Sequence, residues 1–183
     1  MSKPFQFGFM LGRFQHMHIG HEHVINKGLD VCENLLILIG SSQESGTKRN
    51  PYDIKTRSEI IKAVYGNRVH VGFIPDLTDE NDINFEWGDY VIEQVSLWRT
   101  LLGIKYLPDL MLYGNDEERS GWFRPEHRHY FTELAVTRGT VDISATKMRE
   151  FLVNDERGKW EAYANQKIYN FYGSLRNELL RLK

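Results

Sequence analysis

The amino-acid sequence predicts an α/β protein built on a doubly wound parallel sheet. Two observations carry that expectation. Short continuous apolar runs such as Leu35-Leu36-Ile37-Leu38-Ile39 have the pattern of strands covered on both faces. Between such runs, apolar residues recur every three or four positions, which is the period of an amphipathic helix. Strands and helices therefore alternate along the chain, the order that places helices on the faces of a parallel sheet.

Phe5 to Leu11 reads as the first strand, and a helix from about Ile19 presents Ile25, Leu29 and Cys32 at helical spacing. The run from Leu35 to Ile39 is the second strand and completes a βαβ unit. Asp53 is placed to cap a second helix, in which Ile60, Ile61, Val64 and Tyr65 share one side. Val69 to Pro75 supplies the third strand. From about Phe85 to Gly103, the residues Val91, Val95, Trp98 and Leu102 mark a long amphipathic helix that crosses back over the sheet. Leu110 to Tyr113 is the fourth strand, and the polar segment Gly114 to Pro125 is an irregular loop at its C-terminal end, where open parallel sheets bind ligands. Leu134 to Thr137 is the fifth strand; helices at about 144–154 and 166–182 follow, the last with Ile168, Phe171, Tyr172, Leu175 and Leu179 as its apolar stripe.

At 183 residues and 21.5 kDa the chain is expected to form a single domain, residues 1–183, of which 144–183 is a helical C-terminal segment. A formal charge of −2 and a pI near 6.4 leave no general basic field, so nucleic acid is not an expected partner. The single cysteine, Cys32, has no disulfide partner and is read as a small buried hydrophobe on a helix face. Met1-Ser2-Lys3-Pro4 is not followed by a secretory signal, and no run approaches the roughly 18 apolar residues of a membrane span, so the expectation is a cytoplasmic protein without membrane contact. The sequence leaves the oligomeric state open, a homo-oligomer included.

Two motifs carry chemistry. Gly12-Arg13-Phe14-Gln15-His16-Met17-His18-Ile19-Gly20-His21 places imidazoles and a glycine at a strand-to-helix turn, where unpaired N–H groups and the helix dipole favour an anion. Ile143-Ser144-Ala145-Thr146-Lys147-Met148-Arg149 sets two hydroxyls, a lysine and an arginine at a second helix start, with lysine at the position where a capping box would have Glu or Gln. Two such cradles point to one nucleotide held along its triphosphate. Four histidines within eight residues (His16, His18, His21 and His23) make zinc the competing reading, but the only nearby acid is Glu22, and no dedicated metal site is expected.

Together the motifs resemble the (H/T)xGH and ISxTxxR signatures of the nucleotidylyltransferase superfamily. Within it, the GRFQPxHxGH run of the archaeal-type nicotinamide-mononucleotide adenylyltransferases is the nearest pattern, with His16 standing where that pattern has proline. Gly40-Ser41-Ser42-Gln43-Glu44-Ser45, Asn50-Pro51-Tyr52 and Arg57 are similar to the same branch's GSAQxS and NPFTxxER segments. The resemblance implies a Rossmann-like nucleotidylyltransferase fold, ATP and a pyridine mononucleotide as substrates, and Mg2+ carried with the ATP. It further implies that His18, His21 and Arg149 do the catalytic work, that Gly12, Arg13, Phe14 and Gly20 bind ATP phosphates at the first turn, and that Ser144 and Thr146 hold the outer phosphates; Arg13 could equally approach the second substrate or form a surface ion pair.

Lys48 and Arg49 could bring positive charge over the site or could simply be solvated. Asn115, Asp116 and Trp122 follow the fourth strand; an aromatic there could stack on a base or anchor the loop in the core. The competing functions are another small-molecule nucleotidylyltransferase, acting on pantetheine phosphate or using CTP, and a non-catalytic nucleotide-binding module. Class I aminoacyl-tRNA synthetases also carry His-Ile-Gly-His, but this chain has no Lys-Met-Ser-Lys-Ser loop.

Overall fold

The computed structural model describes residues 2–77, 85–114, 119–137 and 142–182. Five parallel strands, β1 (Phe5–Gly12), β2 (Cys32–Ile39), β3 (His70–Phe73), β4 (Leu110–Gly114) and β5 (Thr132–Val136), lie in the order β3-β2-β1-β4-β5. The chain winds outward from β1 through β2 to β3, then returns to the other side of β1 through β4 to β5. That reversal opens a crevice at the C-terminal ends of β1 and β4, where open α/β sheets place ligands.

Alternation along each strand sorts the core onto two faces. Met10, Leu35, Ile37 and Ile39 point to one side, against α1 (Ile19–Val31), α2 (Ile54–Tyr65) and the C-terminal helices. Phe7, Phe9, Leu11, Leu36 and Leu38 point to the other, against Val91 and Val95 of α3 (Phe85–Leu101) and the aromatic residues Trp122, Phe123 and Phe131. The predicted doubly wound sheet is the one observed.

Three local expectations are corrected. Cys32 is the first residue of β2, not part of a helix face: its backbone is extended at φ −110° and ψ 140°, and its N–H closes α1 on the Gly28 carbonyl. With no turn between them, helix runs straight into strand. Burial, with Asp109 adding to it, pushes the Cys32 thiol up to about 12. The segment 166–182 is not one helix but a 3₁₀ stretch, Gln166–Phe171, leading into α6 (Tyr172–Leu180). Between α4 (Ala145–Val153) and that stretch lies α5 (Arg157–Tyr163), a helix the periodicity did not announce. The remaining boundaries move by a few residues; β3 stops at Phe73, and β5 starts at Thr132.

Candidate active site at two helix starts

After Gly12 the chain reverses through Phe14, whose φ of 53° lies in the left-handed region. The Phe14 ring folds back over the strand end, and a Cβ at Gly12 would stand 3.0 Å from it, so the missing side chain is what admits the ring. His18 is the N-cap of α1: its backbone is extended and its Nδ1 accepts from the Gly20 N–H at 3.1 Å. The neutral His18 ring therefore carries its proton on Nε2. The His18 carbonyl accepts from the N–H groups of His21 and Glu22 at 2.9 and 3.1 Å. This winding brings the His21 ring to 4.0 Å from the His18 ring and 5.0 Å from that of Phe14. The two imidazoles expected to share a ligand are thus side by side at a helix start.

Ser144 caps α4, its Oγ accepting from the Lys147 N–H at 3.2 Å. Lys147 does not stand open to an anion as its position suggested, because its Nζ pairs with Asp142 at 2.7 Å on the surface. Arg149 reaches inward. Its Nη1 donates to the Gln15 carbonyl and its Nη2 to the Thr146 hydroxyl at 3.3 Å, while burial pulls its pKa below the usual guanidinium value. That bond ties the turn that leads into α1 to the first turns of α4, although Gln15 and Arg149 are 134 positions apart.

Arg57, fully buried on α2, ties the neighbouring loops together. It donates to the carbonyls of Arg13 at 3.0 Å, Gly40 at 2.8 Å and Ser41 at 3.1 Å. With carbonyl partners rather than a buried carboxylate, burial pulls the Arg57 pKa down to about 10, and the guanidinium stays charged at neutral pH. Gln15 and Tyr52 add a reciprocal pair: the Gln15 side chain donates to the Tyr52 carbonyl at 3.1 Å and accepts from its N–H at 3.0 Å. The sequence placed Arg57 and Tyr52 in a matching segment but gave them no role, because a carbonyl-binding arginine leaves no charge partner to find.

The other expected residues are less central. Gly20 is buried in the first turn of α1, Arg13 is exposed at the turn, and Lys48 and Arg49 are exposed on the loop between β2 and α2. Asn115 and Asp116 lie outside the described residues. Trp122 is 9% exposed and packs in the second apolar cluster, with Arg119 4.5 Å above its ring; of its two readings, burial supports the loop anchor. Trp87, which the sequence reading overlooked, sits partly exposed at the start of α3 with its ring 6.1 Å from Trp122. Its only sequence signal is an aromatic in the first turn of a helix. Among the described residues no three His, Cys, Asp or Glu side chains gather to hold a metal ion, and no described helix is long and apolar enough to cross a membrane.

Comparison with known proteins agrees with this architecture. The Cytidylyltransferase-like family profile matches residues 9–151. A nicotinamide-nucleotide adenylyltransferase of Saccharolobus solfataricus is 37% identical over 90 residues, 46% of this chain and 50% of the relative. The enzyme of the same name from Thermococcus kodakarensis is 31% identical over 170 residues, 90% of this chain and 80% of its own. Among solved structures, a bifunctional NMN adenylyltransferase/ADP ribose pyrophosphatase of Francisella tularensis, complexed with AMP and a manganese ion, superposes with a TM-score of 0.70 at 18% identity. That superposition covers 96% of this chain and 52% of the Francisella one, so this chain spans about half of that structure and half of the Saccharolobus relative. From the matching profile and the length of the Thermococcus alignment, the chain belongs to the Cytidylyltransferase-like family of nucleotidylyltransferases.

Proposed function

We propose that this protein is an adenylyltransferase that joins ATP to nicotinamide mononucleotide, or to its acid form, giving NAD or deamido-NAD and pyrophosphate. The observation that carries the reading is the Arg149 contact with the Gln15 carbonyl, which ties the two phosphate motifs to each other. The names of the archaeal relatives support the acceptor.

The mononucleotide's phosphate is ionised near neutral pH and attacks the α-phosphorus of ATP; the bond from that phosphorus to the bridging oxygen breaks, and pyrophosphate leaves. No strong general base is required. The protein's task is to align the two phosphates and to place donors where charge builds up in the transition state. His18 and His21 serve the α-phosphoryl group, while Ser144, Thr146 and the N–H groups of α4 hold the outer phosphates. Arg149 supplies a planar guanidinium that can bridge two oxygens. A divalent cation, Mg2+ in this proposal, would supply charge neutralisation on the triphosphate, held mainly by phosphate oxygens and water. The mononucleotide then lies on the opposite side of the α-phosphate from Arg149.

Pyrophosphate release with ATP and Mg2+, measured against a panel of phosphorylated acceptors, tests the assignment. Nicotinamide or nicotinate mononucleotide should be used and pantetheine phosphate should be inert. Preferred turnover of pantetheine phosphate, or of CTP with glycerol phosphate, would transfer the protein to another branch of the family.

A further inference from the structure

His16 lies inside the first phosphate turn, is 0% exposed, and has both ring nitrogens engaged. Its Nε2 accepts a hydrogen bond from the indole Nε1–H of Trp160, 144 residues away on α5, at 3.0 Å. An indole N–H can only donate, so Nε2 must be the unprotonated nitrogen and the proton of the neutral ring must sit on Nδ1. Nδ1 faces the Met17 carbonyl. In that tautomer it donates to the peptide joining Met17 to His18, the residue that caps α1.

The surroundings keep the ring in this state. Tyr52 and Trp160 meet it edge-on with ring centroids at 6.2 and 5.7 Å. Arg149, bonded to the carbonyl of the preceding residue, faces it from α4, so a second proton on the ring would be repelled. Trp160 is itself held by Tyr169 and Tyr172, with ring centroids at 5.8 and 5.2 Å. The path from the C-terminal helices to the phosphate turn is therefore a series of direct contacts that ends one peptide before His18.

We propose that His16 is a positioning residue: α5, through Trp160, imposes the Nδ1–H tautomer, and that tautomer fixes the Met17–His18 peptide so that the His18 imidazole faces the phosphates. A merely space-filling role would need neither nitrogen. The proposal rests on the reading of His18 as a phosphate contact, but not on the identity of the acceptor.

Two substitutions separate the two ring nitrogens. The amide of His16→Asn falls near the Nδ1 position and can still donate to the Met17 carbonyl; that of His16→Gln falls near Nε2 and can satisfy Trp160 while leaving the carbonyl without its donor. ATP titration should show His16→Gln weakened about tenfold, the scale of one displaced contact to a charged group, with His16→Asn close to wild type. Imidazole 15N shifts of the wild-type protein at pH 7 should show Nδ1 protonated and Nε2 bare. Equal losses for the two variants, an unchanged His16→Gln, or a His16 ring protonated on Nε2 each overturn the proposal. Should His16→Gln not fold, Trp160→Phe takes its place, and unchanged ATP affinity with unmoved His18 and Gly20 amide resonances overturns it equally. Neither measurement uses an acceptor. A protein that shows the expected pattern but adenylates no pyridine mononucleotide therefore loses the proposed function and keeps this inference.

Discussion

The observed cap and the proposed phosphate contact of His18 are two roles that one substitution would confuse. Its Nδ1 caps α1 and its ring faces the proposed phosphates. His18→Ala should therefore lose about 1 kcal/mol of stability with the cap and about 10²-fold or more in turnover with the transition-state donor. His18→Asn keeps a capping acceptor, so its melting temperature should recover while its turnover stays low; recovery of both would remove His18 from the chemistry. Arg149 divides differently. Arg149→Lys keeps a charge but cannot hold the Gln15 carbonyl, the Thr146 hydroxyl and two phosphate oxygens in one plane. Separate titrations should show ATP weakened more than the mononucleotide, and an equal loss for both would reduce the second motif to a structural helix start.

At the scale of elements, the loop after β4 is held by α3 through a close backbone contact. A Cβ on Gly88 would lie 2.0 Å from the Trp122 carbonyl oxygen, a rigid neighbour that cannot swing aside. Gly88→Ala should therefore destabilise by about 1–3 kcal/mol despite the better helix propensity of alanine. Calorimetric melting checks this, with a fall of about 2–4 °C per kcal/mol for a chain of this size; an unchanged or higher Tm would show that the loop yields. The elements that sequence reading recovered were those with local signatures. The buried runs of β1, β2 and β4, the Asp53 and Ser144 caps and the stripe on α3 all lie within a few residues of themselves. What it missed has no local signature. The helix α5 has seven residues and no side-chain cap at Glu156; Cys32 satisfied a helical period by coincidence at the point where a strand begins. The candidate site divides the same way. His18, His21 and Arg149 were legible because motif and spacing carry them, whereas Arg57 and His16 act through carbonyls and an indole far along the chain.

For the molecule as a whole, buried ionisable groups bound the pH range of stability. His16 has its pKa lowered from 6.5 to about 4, first by burial, with the Arg149 charge acting the same way and the Met17 bond opposing. The unfolded chain binds this proton from pH 6.5 downward and the folded one only near 4. Stability is therefore complete above pH 6.5 and falls between 6.5 and 4, by about 3 kcal/mol for this group. Cys32, raised from 9.0 to about 12, acts at the other end: stability is complete below pH 9 and falls as the pH rises toward 12. Tyr52 and Tyr65, raised by burial, act on the same side. Melting curves against pH should show a plateau between these limits, and His16→Asn should flatten the acid arm; an acid arm unchanged by that substitution would assign it to other groups. The contacts of Gln15 with Arg149 and of His16 with Trp160 also set an order of events during synthesis. A chain emerging from the ribosome exposes its histidine turn, and later most of its sheet, before either partner has been made. Until α4 and α5 emerge, the turn lacks these contacts, and ATP has little to bind and cannot stabilise the intermediate by mass action. Nascent chains arrested before residue 145 should then gain no protease resistance from added ATP, whereas chains arrested with α5 clear of the ribosome should; nucleotide protection of the shorter ones would show that the first turn binds alone.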